Sequence, residues 1–76
     1  MNCYYRRLRD MREDHDLSQD KLAEYLGIAQ TQYSRYERGV RAIPVDLLIR
    51  LAVLYKTSTD YLLGLTDNHK PYDKFQ

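Results

Sequence analysis

The stretch from Leu17 to Gly39 constrains the fold of this chain more than any other, because it contains two short helical patterns separated by a single glycine. Ser18 is placed to cap the first pattern, since its hydroxyl can accept a hydrogen bond from a free amide of the first turn. Gly27 ends this pattern, at the position where a helix end favours positive φ. The second pattern runs from about Gln30 to Arg38. Helices shorter than about 12 residues are marginal in isolation, so the two must pack on each other and on a third element.

The length and composition predict one small domain. The chain has 76 residues, and its single cysteine excludes an internal disulfide and a multi-cysteine zinc site. It contains no apolar run of about 18 residues and no basic-then-apolar leader, so we expect neither a membrane span nor a signal peptide. These features favour the reducing cytoplasm.

Apolar spacing predicts three further helices and no strand. The first extends from Met1 to about Asp14, the fourth has Pro44 in its first turn, and a short fifth spans Thr59 to Leu63. Residues 65–76 are mostly polar and are expected to form a tail without a fold of its own. We therefore predict an all-α fold of five helices, divided into a domain of residues 1–64 and a C-terminal tail of residues 65–76.

A helix, a tight glycine-containing turn and a second helix form the sequence pattern of a helix-turn-helix. The segment LSQDKLAEYLGI followed by QTQYSRYERG resembles the Cro/C1-type, lambda-repressor-like (XRE-type) family of bacterial and phage regulators. The resemblance extends through LRDMRED and IPVDLLIRLAVLYKTSTDYLLG, and so covers about residues 5–64. It implies a five-helix DNA-binding domain that regulates transcription as a repressor, without catalysis.

The polar face of the second motif helix fits the reading of DNA bases. Successive helix residues turn by about 100°, which puts Tyr33, Tyr36 and Glu37 on one side and polar residues on the other. In this motif the N-terminal end of the second helix reaches base edges in the major groove. Glutamine and arginine side chains match the donor and acceptor patterns of adenine and guanine. The predicted base-reading residues are therefore Gln30, Thr31, Ser34 and Arg35.

A second group of residues is placed for contact with the phosphate backbone. Gln19 begins the first motif helix, whose N-terminus favours an anion. In the family the matching glutamine contacts a phosphate and braces the first residue of the next helix, here Gln30. Arg38 and Arg41 lie at the end of that helix and in the following loop, and we expect both to contact phosphates.

The resemblance also implies an ion pair between the first and third helices. Arg12 falls on the apolar side of the first helix and therefore needs a partner of opposite charge. In the family this partner is the glutamate of the Y-E-x-G motif, here Glu37. The chain departs from the family at two turns. Asp16 stands where glycine is frequent, and Ala29 replaces the usual serine or threonine cap, at a cost of about 1 kcal/mol.

Two clusters of arginines accompany the motif in a chain whose net charge is only +1. One lies along the first helix and the other at the second motif helix and its exit, and either could be simply a solvated face. An alternative function is a protein-docking helix-turn-helix module, such as an antitoxin or an anti-repressor. No metal-ligand spacing, catalytic triad or phosphate-cradling loop is recognisable, so we expect no enzyme, metal, cofactor or small-molecule substrate.

The family usually binds double-stranded DNA as a two-fold dimer, with half-sites about 34 Å apart. The predicted fourth helix carries a second apolar line beside its core stripe, and the aromatic Tyr72 and Phe75 follow near the end of the chain. The fifth helix or the tail could cover this line within one chain. Alternatively, part of it is exposed and forms the surface of a weak homodimer that closes fully on DNA. The residues of this surface would be Val45, Ile49, Val53 and Leu65.

Overall fold

The computed structural model describes residues 4–71, which form five α-helices and no β-strand. The helices are α1 (Arg6–Asp14), α2 (Gln19–Leu26), α3 (Gln30–Glu37), α4 (Val45–Tyr55) and α5 (Thr59–Leu62). The predicted all-α fold of five helices is therefore confirmed. The third and fifth helices end one residue earlier than predicted, which lies within the usual fraying of helix ends. None of the five is long and apolar enough to cross a membrane.

Local chemistry sets most of these helix ends. Ser18 and Ser58 cap α2 and α5 through hydroxyl groups that accept backbone hydrogen bonds at 3.1 and 3.0 Å. Gly27 ends α2 with a φ of 73°, and Asp16 in the preceding turn has a φ of 55°. Aspartate tolerates this left-handed conformation better than most residues, so the turn forms without the glycine that the family favours. Ala29 precedes α3 without a side-chain cap, as its chemistry requires.

The first helix begins later than predicted. It starts at Arg6, and Tyr5 before it is extended, with a φ of −121°. The cause is a tertiary contact, because a Cβ atom at Gly39 would lie only 2.8 Å from the Cα atom of Tyr4. The chain before α1 passes directly over the backbone at the end of α3, where only glycine leaves room. The helical prediction for residues 4 and 5 was therefore wrong, and residues 1–3 lie outside the described part.

Apolar side chains from all five helices form the core. The second helix packs against the third, while α1 contacts both α3 and α5. Leu8 of α1, Tyr33 of α3 and Leu51 of α4 are 0% exposed. This packing holds α2 and α3 at a fixed mutual orientation and leaves one face of α3 directed to solvent.

The segment after α5 is held against the domain by side chains from other elements. The guanidinium group of Arg7 donates hydrogen bonds to the carbonyl oxygen of Thr66 at 2.5 Å and to the carboxylate of Asp67 at 2.8 Å. The hydroxyl of Thr57 donates to the carbonyl oxygen of His69 at 2.7 Å. Residues 65–71 thus follow a fixed path although they form no helix, and the domain boundary in front of them stays a prediction.

Candidate nucleic-acid interface

The polar face of α3 is open to solvent. Thr31 and Arg35 are exposed and line a shallow depression together with Arg41 of the following loop. Gln30 and Ser34 are partly exposed on the same helix. The opposite side of the helix is buried and consists of Tyr33, Tyr36 and Glu37. Burial of that side fixes the rotation of α3, so that the predicted base-reading residues share one accessible surface.

The predicted phosphate-contacting residues border α3 at two depressions. Arg41 lines the first depression, described above. Gln19 and Arg38 line the second depression, together with Arg9 and Tyr4. Arg38 also donates a weak hydrogen bond to the hydroxyl of Ser34 at 3.3 Å. Gln19 is the first residue of α2, so its side chain lies beside the free amides of that helix end. The amide of Gln19 and the guanidinium group of Arg38 therefore both border an open depression.

Arg12 and Glu37 join α1 to α3 through a two-point ion pair. The Nε and Nη2 atoms of Arg12 donate to the two carboxylate oxygens of Glu37 at 2.9 and 3.0 Å. A third donor, Nη1, reaches the carbonyl oxygen of Leu17 at 2.7 Å. The two charged side chains are only 13% and 5% exposed. Each charge lies almost out of water and depends on the other for its stabilisation.

Gln19 and Gln30 extend this ion pair toward the surface. The side-chain nitrogen of Gln19 donates to the Glu37 carboxylate at 3.2 Å, and that of Gln30 donates to the side-chain oxygen of Gln19 at 2.6 Å. The orientation of the Gln19 amide follows from these two bonds, because its nitrogen must face the carboxylate and its oxygen must face Gln30. One line of hydrogen bonds thus connects the core to the first residue of α3.

The surroundings of Glu37 keep it ionised. Burial by itself would raise the pKa of its carboxyl group, because water no longer stabilises the charge. Hydrogen bonds from Arg12 and Gln19 outweigh this effect and lower the pKa below the ordinary value for glutamate. The carboxylate is therefore a permanent acceptor for both side chains at neutral pH.

The two arginine clusters differ in their acidic partners. Every arginine of α1 forms an ion pair, and the pairs are Arg6–Asp10, Arg7–Asp67, Arg9–Glu13 and Arg12–Glu37. At the other cluster, Arg35, Arg38 and Arg41 are exposed and have no ion-pair partner anywhere in residues 4–71. The positive charge of α1 is therefore neutralised within the chain, whereas that of α3 and its exit is available to an external anion.

Sequence reasoning missed two polar side chains near the motif. Gln32 lines the same depression as Arg35, and its amide donates to the hydroxyl of Tyr36 at 2.8 Å. The spacing of three residues between Gln32 and Arg35 was the available signal, since such residues are neighbours on a helix. Arg50 of α4 donates to the last two carbonyl groups of α2 at 2.6 and 3.1 Å. Arg50 thus provides hydrogen-bond donors for the end of α2 from a position 24 residues later in the sequence. No local sequence pattern predicts such a contact.

The apolar line on α4 remains open. The predicted residues of this surface are all exposed. The exposed fraction is 70% for Val45, 49% for Ile49, 69% for Val53 and 72% for Leu65. Ile49 and Val53 line an apolar groove that is bordered on another side by Pro71, whereas Leu65 does not line it. Residues 4–71 therefore leave this line uncovered. Tyr72 and Phe75 lie outside the described residues.

The two histidines make contacts within the protein. The Nδ1 atom of His15 lies 2.9 Å from the carbonyl oxygen of Met11, and the ring of His69 packs edge-on against that of Tyr61. In the described part of the chain, no cluster of three or more histidine, cysteine or acidic residues could hold a metal ion. The polar groups around α3 are hydrogen-bond donors and cations, so the arrangement is suited to binding an anionic polymer.

A model of the helix-turn-helix family matches residues 8–62, which contain nearly the whole of the five helices. Several curated relatives come from Bacillus subtilis strain 168. The uncharacterized HTH-type transcriptional regulator YobD is 47% identical over 68 residues, which cover 90% of this chain and 61% of that protein.

The HTH-type transcriptional regulator ImmR is 42% identical over 59 residues, or 78% of this chain and 46% of that protein. The HTH-type transcriptional regulator AnsR is 40% identical over 58 residues, or 76% of this chain and 50% of that protein. The chain thus spans about half to three-fifths of the length of these relatives.

Proposed function

Because the chain belongs to the Cro/C1-type helix-turn-helix family, with its lambda-repressor-like fold, we propose that it binds double-stranded DNA sequence-specifically and regulates transcription, as a repressor in the cytoplasm. The observation that carries the proposal is the contrast between the arginines. Those of α1 are all paired with acids, while Arg35, Arg38 and Arg41 are exposed without such partners. A surface with unpaired guanidinium groups beside a polar helix is suited to bind a polyanion whose base edges carry hydrogen-bonding groups.

In this proposal α3 lies in the major groove. Gln30 and Thr31 are at its N-terminal end, the end that reaches bases in a helix-turn-helix, and Ser34 and Arg35 follow one turn later. Arg35 has the planar fork that suits the two acceptors of guanine, and Gln30 has the paired donor and acceptor that suit adenine. The exposed polar face of α3, opposite its buried tyrosines, supports this role.

Contacts to the phosphate backbone position the domain. Arg38 and Arg41 supply positive charge on either side of α3, and Gln19 supplies an amide at the start of α2. Neutralising phosphates releases counterions, which gives affinity without sequence preference. The protein is thus expected to bind DNA of any sequence weakly and its specific DNA site tightly.

The hydrogen-bonded line from Arg12 through Glu37 and Gln19 to Gln30 holds these contacts in place. A side chain that is already oriented loses less conformational entropy on binding than a free one. Gln30 is held at 2.6 Å from Gln19, which itself is held by the buried carboxylate. The ion pair in the core therefore pre-organises the start of α3 for its base contact.

A two-fold dimer completes the proposal, because one short helix contacts too few bases for high discrimination. Two half-sites on one face of B-DNA lie about 34 Å apart. A domain that measures 36 × 28 × 22 Å is small enough for two copies to lie side by side on two such half-sites. The exposed apolar line on α4 supports a contact between the two copies. No catalytic step is involved.

The test is a binding measurement with selected DNA. Duplexes enriched from a random pool are titrated by fluorescence anisotropy, beside scrambled duplexes of equal length, at two salt concentrations. We expect the selected duplex to bind at least about 10³-fold more tightly than the scrambled one, with both affinities falling as salt rises. A protein-docking module, the alternative suggested by the exposed line on α4, would bind neither duplex measurably. That result would reject the proposed function.

A further inference from the structure

Gln32 lies at the edge of the polar face of α3, next to the buried side of the helix. At about 100° per residue, it is about 60° around the helix axis from Arg35 and about 40° from Tyr36. Gln32 is exposed, whereas Tyr36 is only 6% exposed and belongs to the core. When a helix lies in the major groove, residues along its edge face the wall of the groove, which is the sugar-phosphate backbone. The position of Gln32 therefore favours contact with a phosphate over contact with a base.

The hydroxyl of Tyr36 holds the Gln32 side chain in place. The amide nitrogen of Gln32 donates to this hydroxyl at 2.8 Å, across four residues of the helix. Because the Tyr36 ring is packed in the core, its hydroxyl stays fixed while surface side chains move. The bond uses one of the two N–H groups of the amide, and the other makes no hydrogen bond within residues 4–71. A side chain held in this way loses less conformational entropy on binding than a free one.

Gln32 and Arg41 reach the same depression from two different elements. The residues that line it are Ala29, Thr31, Gln32, Arg35, Tyr36 and Arg41. Arg41 lies in the loop after α3, is exposed, and has no ion-pair partner in the described residues. Guanidinium and amide N–H groups are donors that proteins direct at phosphate oxygens. None of the lining residues is acidic, so the depression offers two such donors to an anion without a charge that repels it.

The bond between Gln32 and Tyr36 does not cap the helix. Gln32 is the third residue of α3, a position from which glutamine can bond back to the backbone amide at the helix start. Its side chain instead extends forward to Tyr36, and Ala29 leaves the helix start without a side-chain cap. A pair of residues four apart on a helix surface adds little stability. A purely structural role would therefore change stability slightly, whereas a phosphate contact would change DNA binding.

We propose that Gln32 and Arg41 bind one and the same phosphate of the DNA backbone in this depression, and that Tyr36 is a positioning residue that holds Gln32 toward it. The inference rests on the proposed function, because it adds a contact to the same DNA complex. Gln32 differs from the arginines in that it carries no charge. An uncharged donor adds affinity for DNA of any sequence but releases no counterion, so its removal should leave the salt dependence of binding unchanged.

The first test compares Gln32→Ala with the wild type on selected and scrambled duplexes over a salt series, under conditions where circular dichroism shows both proteins to be folded. We expect a loss of affinity of about three- to tenfold on both duplexes, with an unchanged slope of log K against log salt. Arg41→Ala, which removes the charged partner, should lower that slope by about 1. A loss on the selected duplex alone would make Gln32 a base reader, and no loss would leave it without a DNA contact. Either result would overturn the proposal.

The second test asks whether the two residues share one phosphate. Methylphosphonates, which replace a charged phosphate oxygen with a methyl group, are placed one at a time along the selected duplex. Each position that weakens binding of the wild type marks a contacted phosphate. At one of these positions the effect should be smaller for both Gln32→Ala and Arg41→Ala, because each variant has already lost a donor to that phosphate. Different positions for the two variants would overturn the shared site.

The third test removes only the hydroxyl that holds Gln32. Tyr36→Phe should lose affinity about two- to threefold on both duplexes, and should cause no further loss in the Gln32→Ala background. Tyr25→Phe, at a position on α2 that is 43% exposed, is the matched control and should bind as the wild type does. A further loss in the Gln32→Ala background would overturn the positioning role of Tyr36. A wild type that binds neither duplex would reject the proposed function itself, whereas a wild type that binds while these variants match it would reject only the present inference.

Discussion

The arginines of α1 and those at the end of α3 form clusters of similar density in the sequence, yet they have opposite relations to the rest of the protein. Each α1 arginine lies 2.8–3.2 Å from a carboxylate, and two of the pairs are local contacts along the helix itself. Arg35, Arg38 and Arg41 have no such partner in the described residues. A count of basic residues therefore does not locate an anion-binding surface. The placement of the carboxylates does, because a carboxylate beside a guanidinium group offsets much of its electrostatic attraction for an external anion.

The pairs within α1 also differ among themselves. Arg12 and Glu37 are 13% and 5% exposed, whereas Arg6 and Asp10 are 80% and 43% exposed at a similar distance. Water screens the exposed pair and gives it little net energy, while a buried charge without its partner is strongly destabilising. Distances alone would rank these pairs as equals, and the variants below separate them.

Glu37→Gln should have the largest effect. It leaves the Arg12 guanidinium buried without a countercharge, and the loss in the free energy of unfolding should be about 3–5 kcal/mol. Urea denaturation followed by circular dichroism measures it. Glu24→Gln, at an exposed position on α2, is the matched control and should unfold at the wild-type midpoint. A loss for Glu37→Gln no larger than that of the control would mean that the pair is not effectively buried.

The same carboxylate predicts a pH dependence of stability. The folded protein holds the pKa of Glu37 below the ordinary glutamate value, so its contribution is fully present above that ordinary value of about 4.3. The contribution is lost as the pH falls through the lower pKa of the folded state. Unfolding free energies measured from pH 7 to pH 2 should fall less steeply for Glu37→Gln than for the wild type. Parallel curves would refute the assignment of this acid sensitivity to Glu37.

Arg35→Ala tests the unpaired cluster directly. Removal of a base-reading fork should weaken binding to the selected DNA by about 1–3 kcal/mol and relax discrimination at one base pair. Competition binding against duplexes substituted at each position measures both effects. Arg6→Ala removes the same charge from the paired cluster and should leave discrimination unchanged. Equal losses on selected and scrambled DNA would remove Arg35 from the base-reading set.

Arg41→Ala should weaken selected and scrambled DNA alike. The loss of one phosphate contact should lower the slope of log K against log salt by about 1. Anisotropy titrations over a salt series give the slope, and Arg6→Ala again serves as the paired-cluster control. An unchanged slope for Arg41→Ala would show that its guanidinium group does not contact a phosphate.

Asp10→Asn should have the smallest effect, because it breaks an exposed pair between residues four apart on α1. The expected loss in unfolding free energy is about 0.3–0.5 kcal/mol at low salt and less at high salt. Urea denaturation at two salt concentrations measures it. If the freed Arg6 side chain instead raised the affinity for scrambled DNA, pairing would be the factor that keeps this cluster from binding DNA. No change in that affinity would mean that position alone excludes it.

The sequence by itself determined the helices, most of their ends and the identity of the motif. These features depend on interactions within about one helical turn, such as the Ser18 and Ser58 caps, the left-handed Gly27 and Asp16, and the missing cap at Ala29. Contacts of this range are visible in the spacing of residue types. The buried side of α3, with its tyrosines and Glu37, also followed from helical periodicity.

The family resemblance implied the contacts of Arg12 with Glu37 and of Gln19 with Gln30, but only the tertiary structure decided which other polar groups meet across the fold. The backbone at Tyr4 passes close to Gly39, so α1 begins later than the sequence predicts. Arg50 of α4 donates a hydrogen bond to a carbonyl group at the end of α2. The bond from Gln19 to Glu37, which ties the surface glutamines to the core ion pair, likewise appears only in three dimensions. The partners of Arg7 lie 54 or more residues away. Contacts at such separations depend on how the helices pack together, and the packing is a property of the whole chain that no local pattern contains.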